Sequence, residues 1–242
     1  DIPRVCRRRR RRRAENPPQD PVAALDRARP ERRRRRRQHG AQAQRVRVVT
    51  DVLDIELSLQ GGTLDRADLV KYPQSKTKDS PPVRLLTTDD ANYQVLRSGL
   101  RTTSGGLEPT HLAPFTSTAR EYRLAPGAQE LRVPLTWTDG QGLTVTKTYV
   151  FKPGRYDVDV VYDVNNASPS NWEAASYVQL ARHVYAQDRS MFDVESYAYR
   201  GPAVYDGKKY RKLDVTDEED AKFAGAFAGG WVAEMQHHFV AA

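Results

Sequence analysis

An all-β fold, a twisted antiparallel sandwich with little helix, is what the sequence predicts, and three observations lead to it. Stretches of strict apolar–polar alternation recur from residue 45 onward, turn residues punctuate them, and successive stretches are joined by short turns instead of helical periods. In VLDIELSLQGG, Leu53, Ile55, Leu57 and Leu59 fall on one face of a strand and Asp54, Glu56, Ser58 and Gln60 on the other, until Gly61 and Gly62 end it.

The next segment, Thr63 to Tyr72, is expected to pair back on this strand. KYPQSKTKDSPPV then reads as an exposed loop in which Pro73, Pro81 and Pro82 block continued pairing. From Glu130 to Phe151 the pattern is a β-hairpin. Leu131, Val133, Leu135 and Trp137 alternate with polar residues, Asp139-Gly140 supplies a turn that tolerates positive φ, and Leu143, Val145, Tyr149 and Phe151 resume the apolar face. Pro134 places the first arm at a sheet edge or bulge, because it cannot donate to a ladder. After Lys152-Pro153-Gly154, the row Tyr156, Val158, Val160, Tyr162, Val164 predicts a third strand and hence a meander. Strands are also expected at Tyr177 to Val184 and Met191 to Tyr199, with a turn at Gln187 to Ser190. Asp214 to Lys222 predicts one short helix capped by Thr216, with Asp217, Glu218 and Glu219 suiting its positive end. WVAEMQHHFVAA, after Gly229-Gly230, reads as a closing strand.

Composition separates a tail, residues 1–44, from the domain, residues 45–242. Residues 1–47 hold 18 Arg and 5 acids, so the net charge of +8 for the chain leaves the remainder at −5. All basic residues of the tail are Arg, with runs at Arg7 to Arg13 and Arg32 to Arg37, and Pro17, Pro18, Pro21 and Pro30 oppose regular structure. A disordered low-complexity tail is expected, since like charges repel and little apolar surface is available to bury. In a GC-rich gene, CGC codons read one base out of phase give Ala or Pro, so much of residues 1–44 is expected to be a frame-shift product. The mean hydropathy of −0.74 is polar for a globular chain of this size and suggests that part of it is not packed. Cys6, the lone cysteine, excludes an intrachain disulfide. No apolar run reaches the ~18 residues of a membrane span, and the Asp1 start and Ala241-Ala242 stop suit an excised or incomplete product that is soluble as it stands.

Motifs for chemistry are scarce. His237-His238 is the most metal-like feature, but neighbours on a strand point to opposite faces and no CxxC or HExxH accompanies them. His39, His111 and His183 are isolated. Asp89-Asp90 and Asp217 to Asp220 fit solvated turns better than an acid–base pair, and no GxSxG, GxxxxGK[ST] or GxGxxG is present. Asn166-Ala167-Ser168 matches a sequon that chance supplies often. YDGKKYRKL interleaves Tyr205 and Tyr210 with Lys208, Lys209, Arg211 and Lys212, but the acidic run that follows opposes nucleic acid. The expectation is therefore no catalytic, cofactor-binding or metal-binding residue, no cofactor and no nucleic-acid partner.

RVRVVTDVLDIELSLQGG, DLVKYP, NYQVLRSGL, LRVPLTWTDGQGLTVTKTYVFKPGRYDVDVVYDVNNAS, SYVQLARH, YRGPAVYDGKKYRKL and GGWVAEMQHHFVA, in that order, resemble the large periplasmic domain of the YidC/Oxa/Alb family of membrane protein insertases. The resemblance covers residues 45–242. It implies a β-supersandwich of the galactose-mutarotase-like type, incomplete at its C-terminus, on the periplasmic side of the bacterial inner membrane. It implies further strands and membrane helices beyond HHFVAA, the latter forming the insertion groove, so no groove position is carried over. It also implies that the domain is an accessory to insertion and folding, with or without the Sec translocon. The partners implied are SecF, SecYEG and nascent membrane proteins, with an edge strand such as that of Pro134 available for docking. A carbohydrate-binding or mutarotase-like sandwich is the alternative the fold alone suggests. An Arg-rich nucleic-acid or membrane-surface protein is the alternative the tail suggests.

Overall fold

The structure, a computed structural model, describes residues 45–103, 105–183, 199–226, 229–236 and 238–242. A seven-stranded sheet forms one layer. Its strands are β1 (Arg45–Val49), β2 (Leu53–Ser58), β3 (Thr63–Pro73), β4 (Pro82–Leu86), β5 (Gln94–Thr102), β6 (Glu121–Arg123) and, later in the chain, β10 (Ala174–Arg182). The order is β10-β5-β3-β2-β1-β6, with β4 also on β3. All pairs are antiparallel except β1 with β6, a parallel pair the sequence reading does not anticipate.

The second layer is the meander: β7 (Leu131–Thr138), β8 (Leu143–Phe151) and β9 (Val158–Asn166). Its first register matches the turn chemistry, with Leu131 opposite Phe151 and Thr138 opposite Thr144. Asp139 Oδ1 accepts from the backbone N–H groups of Gln141 (2.7 Å) and Leu143 (3.0 Å), fixing a turn whose Gly140 has φ +76°. A third sheet, ordered β12-β11-β13-β14, comprises β11 (Gly201–Tyr205), β12 (Tyr210–Lys212), β13 (Trp231–Met235) and β14 (Val240–Ala241).

The core lies where the first two layers meet. Val46, Val48, Ile55, Leu57 and Leu64 of the large sheet and Val133, Leu135, Trp137, Val145 and Phe151 of the meander belong to one buried cluster, to which β14 contributes Ala241. Each such side chain contributes about 1.5–3 kcal/mol when withdrawn from water. Alternation in β2 is as read, with Leu53, Ile55 and Leu57 buried and their polar neighbours half-buried. A bulge between Glu56 and Leu57 then lets Glu56 face Arg66 and Leu57 face Leu64.

Several expectations need correction. Pro73 and Pro82 do not stand outside the pairing: they face each other across the last register of β3 and β4, and Gln74 N donates to Pro81 O at 2.9 Å. A prolyl ring removes a donor but not an acceptor, so a ladder can run up to it. The helix spans only Glu218–Ala221 and is capped by Asp217, whose side chain accepts from Glu219 N and Asp220 N. Thr216 instead donates its hydroxyl to Asp214, at 2.6 Å. WVAEMQHHFVAA is two strands, β13 and β14, folded into a hairpin closed by Gln236 N donating to Phe239 O at 2.8 Å. The strand expected from Tyr177 begins three residues earlier, at Ala174, and its described part ends at Arg182. The strand expected at Met191 to Tyr199, all but its last residue, and the turn at Gln187 to Ser190 lie outside the described residues, as does the tail with Cys6 and His39.

Candidate functional site

Charge organises the outer face of the large sheet. Arg47 bonds Asp54 through two nitrogens (2.6 and 3.1 Å), Arg45 bonds Glu56 (2.7 Å), Arg66 reaches Asp54, Glu56 and Asp68, and Arg84 grips Asp68 at 2.7 and 3.0 Å. The result is a lattice across β1 to β4 in which cations and anions alternate. Arg47 holds the Asp54 carboxyl below its ordinary range.

Beside β4 lies a cleft of about 700 Å³, lined by Val83, Arg84, Gln94, Arg182, Gln236 and Phe239 among others. Arg182 pairs with Glu234 of β13, whose carboxyl burial pushes upward, and Gln236 Nε2 donates to Gln94 Oε1 at 3.0 Å. Gln94 Nε2 is buried with no hydrogen-bond partner among the described residues. The third sheet is thus tied to the end of β5 and β10 by polar contacts.

Strand edges are the other exposed feature. β7 ends the meander on one side, and its outward groups are partly taken: Thr136 N donates to Thr116 O (2.9 Å) and Thr116 N to Thr136 O (2.8 Å). Pro134, two residues away, turns its donorless nitrogen the same way, as an edge position allows. β9 ends the meander on the other side, and β10 ends the large sheet. Val178 of β10 shares a face with Ser98, yet it is 61% exposed, and Val164 of β9 is 46% exposed. Among the described residues, apolar side chains of both edge strands, β9 and β10, are thus left exposed.

Between the two layers sits a group that the sequence reading missed. Lys147 is fully buried, and its Nζ donates to the carbonyls of Gly62 (2.7 Å), Ser98 (3.1 Å) and Gly61 (3.2 Å). Tyr149, also buried, donates its hydroxyl to Gly62 O, and Tyr162 donates to Ser98 Oγ at 3.0 Å. The signal was in LTVTKTYVF: Lys147 occupies the inward phase of the row Leu143, Val145, Tyr149, Phe151.

The residues weighed for chemistry remain dispersed. His111 Nδ1 lies 2.6 Å from Tyr177 Oη, and burial, then Arg97, Lys147 and Arg101, push its imidazole below the ordinary value. His183 stacks on Tyr93, and His238 lies in the β13–β14 connection, not within a strand; His237 is outside the described residues. Among the described residues no three His, Cys, Asp or Glu side chains converge as for a metal. Asp89 and Asp90 begin a single 3₁₀ turn, and Asp217 to Asp220 build the short helix. Asp206 accepts from Lys208 N and Lys209 N, Arg211 pairs with Asp220, and Lys212 lies 4.8 Å from the Tyr199 ring, so the basic stretch is tied into β12 and its turns. Asn166 of the sequon accepts from Ser168 and donates to Ser170 O.

A two-layer β-sandwich with a third small sheet, a polar cleft and open strand edges defines a β module of the kind that presents surfaces. Its whole described length, residues 45–242, matches the family model of the YidC periplasmic domain, and the chain belongs to that family. Among curated proteins it is similar to the "Membrane protein insertase YidC" of Methylococcus capsulatus, 40% identical over 203 residues, or 83% of this chain and 36% of the relative. The protein of the same name from Thioalkalivibrio sulfidiphilus is 40% identical over 205 residues, covering 82% and 36%. That from Thiobacillus denitrificans is 39% identical over 207 residues, covering 84% and 37%. The chain thus spans little more than a third of the length of these relatives. No helix among the described residues is long and apolar enough to cross a membrane.

Proposed function

We propose that this chain is the periplasmic accessory region of a membrane protein insertase, held at the bacterial inner membrane, with residues 45–242 as its domain and residues 1–44 as a low-complexity tail. The observation that carries the reading is the family match along all of residues 45–242. On this reading the domain acts by docking and not by passage. A charge at the bilayer centre costs about 2.5–3.5 kcal/mol on insertion scales, and easing that cost needs a groove within the membrane. A sandwich with a charged outer lattice offers edges and a polar cleft instead. Partners of the intact protein are then the Sec translocon, through SecF and SecYEG, and nascent membrane proteins, with main-chain pairing at a free edge such as β9 as the mode of contact.

The test is reconstitution of the full-length insertase in proteoliposomes, with and without residues 45–242. Loss of the domain is expected to weaken co-purification with SecF severalfold while insertion of a short Sec-independent substrate persists. Equal SecF recovery from both forms, or complete loss of that insertion, contradicts the proposal.

A further inference from the structure

Lys147 joins the two main layers. It stands on β8 of the meander, while its three acceptors belong to the large sheet: Gly61 and Gly62 from the β2–β3 turn and Ser98 from β5. Three N–H donors meet three carbonyls, and among the described residues no carboxylate lies within ion-pair distance of Nζ. The rings of Tyr149, Tyr162 and Phe115 stand 5.3, 5.9 and 6.0 Å from Nζ. Carbonyls and ring faces favour the cation, whereas removal from water disfavours it. Burial prevails, lowering the pKa to about 7.

Other titratable groups surround Lys147 on every side. Burial raises the phenols of Tyr149 on β8 and Tyr162 on β9, keeping both neutral. His111, packed from the loop before β6 and joined to Tyr177 of β10, is pushed below its ordinary value by burial, and burial raises the Asp65 carboxyl of β3. Arg97 and Arg101 of β5 act on His111 as neighbouring cations.

We propose that Lys147 is a proton-sensitive pin between the two layers: taking up a proton loosens the contact of β8 with the Gly61–Gly62 turn and Ser98, and releasing it tightens that contact. The reason is linkage. When the junction opens, water hydrates the ammonium and returns it to its ordinary value of 10.5, so the open form binds a proton more tightly than the closed one. Between that value and about 7, each unit of falling pH favours the open form close to tenfold; below about 7 both forms are protonated and the effect saturates. The neutral amine keeps only two N–H donors, but relief from burying a charge outweighs the lost bond. The pin does not depend on the docking role proposed above.

Urea unfolding of the full 242-residue chain and of Lys147→Met, from about pH 7 to about pH 9, tests it. The ratio of wild-type to variant folding constants is expected to rise close to tenfold per pH unit, and a flat ratio overturns the proposal. Should Lys147→Met fail to fold, the ¹³Cε shift of Lys147 in the wild-type chain decides. A midpoint near 7 sustains the pin, and one at the ordinary lysine value ends it.

Discussion

Two glycines with nearly the same backbone angle have different reasons to be glycine. Gly140 sits in the β7–β8 turn at φ +76°, with nothing near the place a Cβ would take. Gly61 has φ +78°, and a Cβ there would lie 2.1 Å from His111 O, a backbone atom held by Gly61 N donating to Ala113 O at 2.7 Å. Gly140→Ala bears only the left-handed penalty, about 1 kcal/mol, whereas Gly61→Ala must also push a backbone segment away and is expected to cost at least about 3 kcal/mol. Urea midpoints of the two variants compare them directly, and equal losses would refute the steric account. The Gly61 carbonyl also receives Lys147, so the substitution disturbs the pin as well.

At the scale of elements, the β7–β8 hairpin depends on one carboxylate. Asp139→Ala removes acceptors from Gln141 N and Leu143 N and is expected to cost about 1–2 kcal/mol in chemical denaturation, with Asp139→Asn recovering most of it. This hairpin was legible because its period, its turn residues and its register are all local. So was β2, for the same reason. β4 and β5 were not, since Val83 to Leu86 and Gln94 to Leu100 lack clean alternation: β5 is buried at Val95 as well as at Ser98 and Leu100. A strand covered on both faces loses the period of two. The parallel β1–β6 pair was equally hidden, because its partners are 74 residues apart at Arg47 and Glu121 and β6 is only three residues long. The β13–β14 turn escaped notice because Gln236 to Phe239 contain no Gly, Pro, Asn or Asp to mark it. As for the candidate site, edges and cleft arise from strand order, which no local pattern encodes, while Lys147 was visible as a lysine in an apolar row.

For the molecule as a whole, acid acts through opposing carboxyls. Asp54 is depressed by Arg47, so its contribution is complete above the ordinary value of 3.8 and disappears as pH falls through the lower folded value. Asp65 and Glu234 are raised by burial; their contribution is complete below the ordinary values and disappears as pH rises through the folded ones. Asp54→Asn is accordingly expected to be less stable than wild type at about pH 6 and to converge with it as pH falls through the lowered folded value, as measured by thermal unfolding. A gap that persists in strong acid would show that Asp54 acts by packing and not by charge. The β5–β10 pairing, finally, has a kinetic meaning. Its partners, Gln94–Thr102 and Ala174–Arg182, enclose the whole meander in sequence, so a chain that closes this pair early must loop out some 70 residues. The meander, built from neighbouring strands, is the faster structure to form. On this order the meander meets the large sheet already folded, and Lys147 exchanges its hydration for the carbonyls of Gly61, Gly62 and Ser98 only when the two layers close.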